Sequence, residues 1–241
     1  MTRPIKKAGF KQGIYEISAT RKERIGTLRI TQDGRKFRYA KAGSNALAAG
    51  KVSVAADISS DVVNKNPAAA AAIGATQVTV TIGSSTIAEN YFQGGYLQVN
   101  DSTGEGLQYE IDGSSAVSSG TSITISLCDP IMVALTTSSE VTLVHSPYMA
   151  TIESADEENM PAGIPPVAVT AAYYYWAQTG GMAVALQNAA AAVHSMLTLG
   201  ATAGSVAAIN SSLDVDQPIF AQMGSTVGVT GEYKPIRLFI D

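Results

Sequence analysis

Two pairs of carboxylates have the spacing that catalysis or metal binding could use. Asp214 and Asp216 stand two residues apart, as do Glu110 and Asp112, and in a strand this spacing places both side chains on one face. Such pairs serve as acid and base in glycosidases or as ligands of Ca²⁺. A Ca²⁺ site needs about six oxygen ligands, and neither pair lies in a recognisable ligand loop. Solvated turns are therefore the favoured interpretation, and a carbohydrate-active enzyme that uses Asp214 and Asp216 is an alternative hypothesis.

Other reactive side chains are few. His145 continues the apolar face of a predicted strand and His194 lies among alanines, and both positions are typical of structural histidines. Cys128 is the only cysteine, which excludes an intrachain disulfide and the usual zinc sites. The sequence has no nucleophile elbow, phosphate-binding loop or His-Glu-x-x-His motif. We therefore predict a protein that is not an enzyme and holds neither cofactor nor metal.

Basic residues are concentrated at the start of the chain. Residues 1–51 contain thirteen of the sixteen Lys and Arg and three of the twenty Asp and Glu, a net charge of +10. Residues 52–241 contain the other three basic and seventeen acidic residues, a net charge of −14. This division is typical of a chain whose one end contacts a negatively charged partner. The candidate docking residues are the cations of the first 24 positions: Arg3, Lys6, Lys7, Lys11, Arg21, Lys22 and Arg24.

Nucleic acid is one candidate for that partner. Cations release counterions from phosphates, and the interleaved Phe10, Tyr15, Phe37 and Tyr39 would suit stacking on bases. The segment 35–41, however, alternates like a charge-protected edge strand, and the acidic remainder of the chain would repel nucleic acid. We therefore expect the partner to be an acidic protein surface rather than nucleic acid.

Alternation with a period of two predicts strands through most of the chain. Apolar and polar residues alternate at 78–82, 107–111 and 123–127, and Thr31-Gln-Asp-Gly34 supplies an Asp-Gly hairpin turn between strands at 25–31 and 36–41. We predict an all-β fold of antiparallel β-sandwich or barrel domains with an extended basic N-terminal arm. The single helix candidate is Pro67–Ile73, because Pro opens it and Gly74 follows it.

Composition divides the chain into three predicted segments: a basic N-terminal arm that docks on the partner (1–51), a β domain (52–150) and a C-terminal β-barrel-like domain (151–241). No apolar stretch reaches the about 20 residues that span a bilayer, and we recognise no secretory signal, so we expect no membrane partner and, if the protein leaves the cytoplasm, another route of export. Charged residues are 15% of the chain. A surface so poor in charge favours burial against other subunits.

Several blocks of the sequence resemble structural proteins of tailed bacteriophages. They are Phe37-Arg-Tyr-Ala-Lys-Ala-Gly43, Ala46-Leu-Ala-Ala-Gly50, Gly95-Tyr-Leu-Gln-Val-Asn-Asp101, Gly104-Glu-Gly106, Tyr109-Glu-Ile111, His145-Ser-Pro-Tyr148, Trp176-Ala-Gln-Thr-Gly180 and Tyr233-Lys-Pro-Ile-Arg-Leu238. The resemblance covers most of the chain, and the region from Val193 on is similar to small β-barrel head-decoration modules. Its motifs are strand signatures without catalytic residues.

The resemblance implies a virion protein, made in the host cytoplasm, that decorates the capsid. Such a cement protein would bind the outer surface of the major capsid protein as a homotrimer and stabilise the head. The alternative is a tail, baseplate or fibre protein, in which the aromatic stretch Tyr173–Trp176 would face a host glycan. Packing of that stretch between two sheets is the competing interpretation. Deletion of residues 1–24 is expected to abolish capsid binding and leave the remainder folded.

Overall fold

The computed structural model describes residues 9–209 and 217–241, and strands dominate it. Fourteen strands are present, with one 3₁₀ turn at Ser60–Val62. The strands are β1 (Leu28–Ile30), β2 (Lys36–Lys41), β3 (Ser53–Val54), β4 (Gln77–Ile87), β5 (Tyr96–Asp101), β6 (Gln108–Ser114), β7 (Val117–Leu127), β8 (Glu140–Val144), β9 (Pro161–Gly163), β10 (Tyr174–Leu186), β11 (Met196–Leu199), β12 (Val206–Ala208), β13 (Ala221–Met223) and β14 (Tyr233–Phe239). All strand pairs are antiparallel. The predicted all-β class is confirmed.

The chain forms two compact units. The inserted unit is Asp57–Ser146, and the terminal unit comprises residues 9–56 and 147–241 apart from the undescribed 210–216. Residues 36–41 of the predicted arm pair with residues 174–180 of the predicted C-terminal domain. Strands from the first and third predicted segments therefore belong to one sheet.

The inserted unit is a small barrel. Its sheet runs in the order β4-β7-β6-β5-β8, and its two edges meet on the segment 65–68. Lys65 exchanges two main-chain hydrogen bonds with Val141 of β8 (2.8 and 2.7 Å), while Ala68 donates to Thr79 of β4 at 2.8 Å. Apolar and polar residues alternate along β4 and β7, and the apolar side chains point into the barrel. Val78, Val80, Ile123 and Ile125 are all buried.

The closure of this barrel explains why the predicted helix at Pro67–Ile73 is wrong. Pro67 bridges Val80 of β4, and Ala71 exchanges two main-chain hydrogen bonds of 2.9 Å with Leu135. Because these main-chain groups bond to neighbouring segments, they cannot bond to the fourth residue along the chain as in a helix. Tertiary pairing overrides the helix propensity of five consecutive alanines and the favourable positions of Pro and Gly.

Two of the reciprocal bridges in the terminal unit lead into turns like those that follow Ala71 and Leu135. Leu47 pairs in the same way with Val169, and Ala191 with Gly228. In five of the six segments the third residue after the bridge has a positive φ: Gly50, Gly74, Ala172, His194 and Gly231. This backbone reverses the chain into the turn that precedes the next strand, and it favours glycine at such positions.

The terminal unit is built on one seven-stranded sheet with the order β1-β2-β10-β14-β13-β11-β12. Just after β10, Asn188 donates a main-chain hydrogen bond of 2.8 Å to Val206 of β12, so part of the sheet curls back on itself. The long strand β10 pairs with β2 through its first half and with β14 through its second half. It therefore joins the basic N-terminal segment to the C-terminal strands.

Candidate functional site

The predicted docking residues divide into two groups. Arg3, Lys6 and Lys7 lie outside the described residues. Lys11, Arg21 and Lys22 are exposed on the terminal unit, and Arg24 is partly buried. The main-chain N–H of Lys11 donates a 2.9 Å hydrogen bond to a carboxylate oxygen of Glu23. This bond places Lys11 beside the segment 21–24, and we call the four cations Lys11, Arg21, Lys22 and Arg24 the basic loop.

Gln12 fixes this loop to the sheet. It is 3% exposed, and its side-chain amide donates to the carbonyl oxygens of Glu16 (2.7 Å) and Tyr174 (3.1 Å). Its side-chain oxygen accepts a 2.7 Å hydrogen bond from the Tyr39 hydroxyl. A buried amide that satisfies three partners holds its segment in one position. Gln12 therefore has a structural role. The sequence alone does not indicate this role, because a single glutamine belongs to no periodic pattern or motif.

An aromatic cluster surrounds Gln12. The ring of Trp176 packs edge-on against Phe10 (5.2 Å between centroids) and Tyr39 (5.1 Å), and the Arg29 guanidinium lies 4.9 Å from the centre of the Phe10 ring. Tyr175 and Trp176 are fully buried. Stacking on a sugar requires an exposed ring face, so these two residues belong to the core and not to a glycan-binding surface.

Several cations of the basic segment are paired inside the terminal unit. Arg38 forms a bidentate contact with the Asp241 carboxylate, at 2.7 and 3.1 Å, and Lys36 donates to the main-chain oxygen of Asp241 at 3.1 Å. Lys51 pairs with Glu153 at 3.0 Å. These contacts pair part of the excess positive charge of residues 1–51 with Asp241 and Glu153, which lie in the second half of the chain. The charge that remains exposed is concentrated in the basic loop.

The carboxylate pairs give no assembled catalytic site among the described residues. Glu110 lies on the outward-facing side of β6, as does Asp112, which is exposed, whereas Asp214 and Asp216 lie outside the described residues. Within residues 9–209 and 217–241, no group of three or more His, Cys, Asp or Glu side chains is arranged to hold a metal ion.

The two histidines have structural surroundings. His145 is buried, with Nδ1 3.0 Å from the main-chain oxygen of Ser146 and its ring against Tyr91. His194 is exposed in one of the positive-φ turns described above. The cavity next to His145 has a volume of about 260 Å³ and is also lined by Tyr91, whose pKa is raised above its ordinary value by burial. A neutral tyrosine and a histidine facing main-chain oxygen provide no activated nucleophile.

The terminal unit also carries an apolar concave surface. It is a groove of about 570 Å³ lined mainly by apolar side chains, including Met182, Val184, Tyr233 and Pro235, with Arg35 at its margin. Arg35 is itself bonded to Asp33 at 2.7 Å. The groove therefore offers apolar contact area and few polar groups, which suits a protein surface better than a reactive substrate.

None of the described helical turns has the length and hydrophobicity needed to cross a bilayer.

No family model matches the chain, and no curated protein or solved structure shows significant similarity to it.

Proposed function

We propose that this protein is a non-enzymatic capsid decoration protein of a tailed bacteriophage. It would bind the outer surface of the major capsid protein through its basic N-terminal residues, associate with copies of itself as a homotrimer, and stabilise the head. The proposal rests on the resemblance of its sequence blocks to phage structural proteins and on the placement of the basic loop.

The observation that carries the proposal is that an exposed basic loop is held rigidly on an otherwise acidic chain. Lys11, Arg21 and Lys22 are exposed, while Gln12 in the same segment is buried and fully hydrogen-bonded. Cations on a fixed backbone lose little conformational freedom when they meet a partner. Repetition of this contact over a capsid lattice would convert weak single contacts into strong attachment.

A protein partner fits this surface better than nucleic acid does. Of the aromatic residues that interleave with the cations, Phe37 and Tyr39 are fully buried and Phe10 packs against Trp176. Bases would therefore find few exposed rings to stack on. Of the four rings only that of Tyr15 is well exposed, so the main remaining signal is charge, and an acidic capsid surface would complement it.

Charge reversal in the basic loop tests the proposal more cleanly than deletion of residues 1–24. That deletion would also remove Phe10 and Gln12 and leave Trp176 exposed, so a loss of binding could reflect unfolding. The triple variant Lys11→Glu, Arg21→Glu, Lys22→Glu keeps those contacts. Its binding to capsids that lack the protein, measured by co-sedimentation, should fall by about tenfold to a hundredfold, because charges at an interface rim govern encounter and register.

The matched control keeps the charge and changes the side chains: Lys11→Arg, Arg21→Lys, Lys22→Arg. It should bind as the natural chain does. A second variant, Arg3→Glu, Lys6→Glu, Lys7→Glu, separately tests the three predicted residues that lie outside the described part of the chain. Full capsid occupancy by both charge-reversed variants would refute docking through the basic residues.

The tail, baseplate or fibre alternative is distinguished by copy number per particle. A decoration protein is present in hundreds of copies, whereas a tail protein is present in a few or a few dozen. Quantitative gel analysis of purified virions against the major capsid protein would separate the two.

A further inference from the structure

The outward side chains of β10 and β14 form an apolar strip on the terminal unit. Met182 lies opposite Arg237 in the register and Val184 opposite Pro235, and opposed residues of an antiparallel pair share a face. Met182 and Val184 are 55% and 50% exposed, and Tyr233 and Phe239 are 47% and 41% exposed. The β10–β14 strip consists of Met182, Val184, Tyr233, Pro235, Arg237 and Phe239.

The strip connects two concave surfaces of the terminal unit. One end lines the 570 Å³ groove described above. At the other end Phe239 lines a cavity of about 300 Å³ together with Ile219 and Met160, which are 52% and 56% exposed. Single exposed apolar residues are common on protein surfaces, but a continuous apolar face of this kind marks an interaction site.

Arg237 stands in the middle of the strip, and no residue in the described part of the chain pairs with it. Among the described residues, no acidic side chain forms an ion pair with it and no hydrogen bond is made by its guanidinium. Its neighbours across the strands are Met182 on β10 and Gln222 on β13. An unpaired guanidinium between apolar side chains is well placed to receive a carboxylate from a second molecule.

The terminal unit itself carries a matching group on the segment that leads to Met160, beside the cavity at the Phe239 end of the strip. Glu158 is exposed, and its carboxylate has no hydrogen-bond or ion-pair partner among the described residues. The other acids described in that unit do have one; for example, Glu157 bonds Gln217, Glu153 bonds Lys51 and Glu232 bonds Lys234. Glu158 stands two residues before the exposed Met160. The strip thus offers a cation among apolar side chains, and the segment next to its Phe239 end offers an anion beside an exposed methionine.

We propose that the β10–β14 strip binds a second copy of this chain, with Arg237 of one copy paired to Glu158 of the other and Met160 packed on the apolar side chains beside Arg237. The pairing accounts for both unpartnered charges. It also removes the exposed apolar side chains of the β10–β14 strip from water. The strip could not pack symmetrically on itself through Arg237, because two guanidinium groups would then face each other.

This inference deepens the proposed self-association and rests on it, but it does not involve the basic loop. It is tested in solution without capsids, so its failure would leave capsid binding through Lys11, Arg21 and Lys22 untouched. Conversely, loss of capsid binding in the basic-loop variants would leave the strip unaffected.

The experiment measures the mass of the full chain by sedimentation velocity over a range of concentrations. The natural chain should form an oligomer of the 25.0 kDa protomer. Arg237→Glu and Glu158→Lys should each weaken association by at least about tenfold, since each places like charges together at a partly desolvated contact. The double variant Arg237→Glu, Glu158→Lys restores opposite charges and should recover the oligomer.

Two further variants keep the result interpretable. Glu105→Lys makes the same charge change as Glu158→Lys at an exposed site of the inserted unit and should leave the mass unchanged. Met182→Glu disturbs the apolar part of the strip and should weaken association without altering Arg237 or Glu158. Circular dichroism of each variant shows that it is folded.

A monomeric natural chain would overturn the proposal, as would an Arg237→Glu variant that associates like the natural chain. Failure of the double variant to recover would overturn the pairing with Glu158. If the natural chain is monomeric but Arg237→Glu lowers its binding to capsids, the occupant of the strip is the capsid protein and not a second copy.

Discussion

The indole Nε1 of Trp176 donates a 3.0 Å hydrogen bond to the main-chain oxygen of Gln12. The two residues are 164 positions apart, and the bond is buried. It links the segment around Gln12 to β10, the longest strand of the terminal unit. The basic loop is therefore presented on a fixed support, and several properties of the protein depend on that support.

Replacement of Gln12 should destabilise the terminal unit. Gln12→Ala removes the hydrogen bonds to the carbonyl oxygens of Glu16 and Tyr174 and leaves the Tyr39 hydroxyl without its acceptor. Loss of a buried polar partner costs about 1–3 kcal/mol, and we expect the free energy of unfolding to fall by that amount. Urea unfolding followed by Trp176 fluorescence measures it, because the chain has one tryptophan. The exposed control Lys22→Ala should change stability little, and an equal effect of both variants would contradict this role of Gln12.

Two tyrosines should make the protein sensitive to alkaline pH. Burial raises the pKa of Tyr175 to about 12 and that of Tyr39 to about 12, against an ordinary value of 10.0. Because the pKa of each tyrosine is higher in the folded protein than in the unfolded chain, the unfolded chain loses these protons at a lower pH. The stability they contribute is therefore complete below pH 10 and is lost as the pH rises from about 10 to 12, by at most about 1.4 kcal/mol per pH unit and tyrosine.

Urea unfolding between pH 8 and pH 11 would show this loss as a falling midpoint. The Tyr175→Phe variant should have a shallower pH dependence, since it lacks one of these two strongly shifted groups. Titration of tyrosinate absorbance gives an independent measure, and normal titration of all ten tyrosines in the folded protein would contradict the expectation.

The ion pair of Arg38 and Asp241 should stabilise the terminal unit at neutral pH and not in acid. Burial raises the pKa of Asp241, but hydrogen bonds and the charge of Arg38 outweigh it, so the pKa lies below its usual value of 3.8. A lowered carboxylate pKa gives stability above pH 3.8 that disappears as the pH falls through the folded value. The pair is partly exposed, so Asp241→Asn should cost about 0.5–1 kcal/mol at pH 7 and progressively less as the pH falls below 3.8. Glu232→Gln, which breaks the more exposed pair with Lys234, is the matched control and should cost less.

Gly95 should be intolerant of any side chain. A Cβ at this position would overlap the main-chain oxygen of Val144, the last residue of β8. Main-chain atoms cannot move aside as a flexible side chain can, so Gly95→Ala should destabilise the inserted unit by about 2 kcal/mol or more. Gly120→Ala is the control, because its Cβ would meet only the Val117 side chain at 3.1 Å. Hydrogen exchange in residues 57–146 compares the two, and equal protection in both variants would contradict the steric argument.

Local patterns predicted the strands well. Alternation at 36–41 and the Asp-Gly turn before it correspond to β2 and its hairpin with β1, because both signals depend on adjacent residues. In the same way, Ile123, Ile125 and Leu127 of β7 are buried, as the alternation at 123–127 predicts.

Features that depend on distant partners could not be predicted. The segment after Pro67 has a helical composition, and only its pairing with β4 and with Leu135 makes it extended. Gln12 and Asp241 have no local signal either, since their partners Trp176 and Arg38 are more than 160 residues away in the sequence. The basic loop could be predicted as a cluster of charge, but the contacts that hold it in place could not.

Electron microscopy of the assembled virus particle tests the central claim most directly. The account predicts density for this chain on the outer surface of the capsid, repeated over the lattice, with Lys11, Arg21 and Lys22 facing acidic residues of the major capsid protein. Density confined to the tail or baseplate, or a basic loop that faces solvent on the capsid, would contradict it.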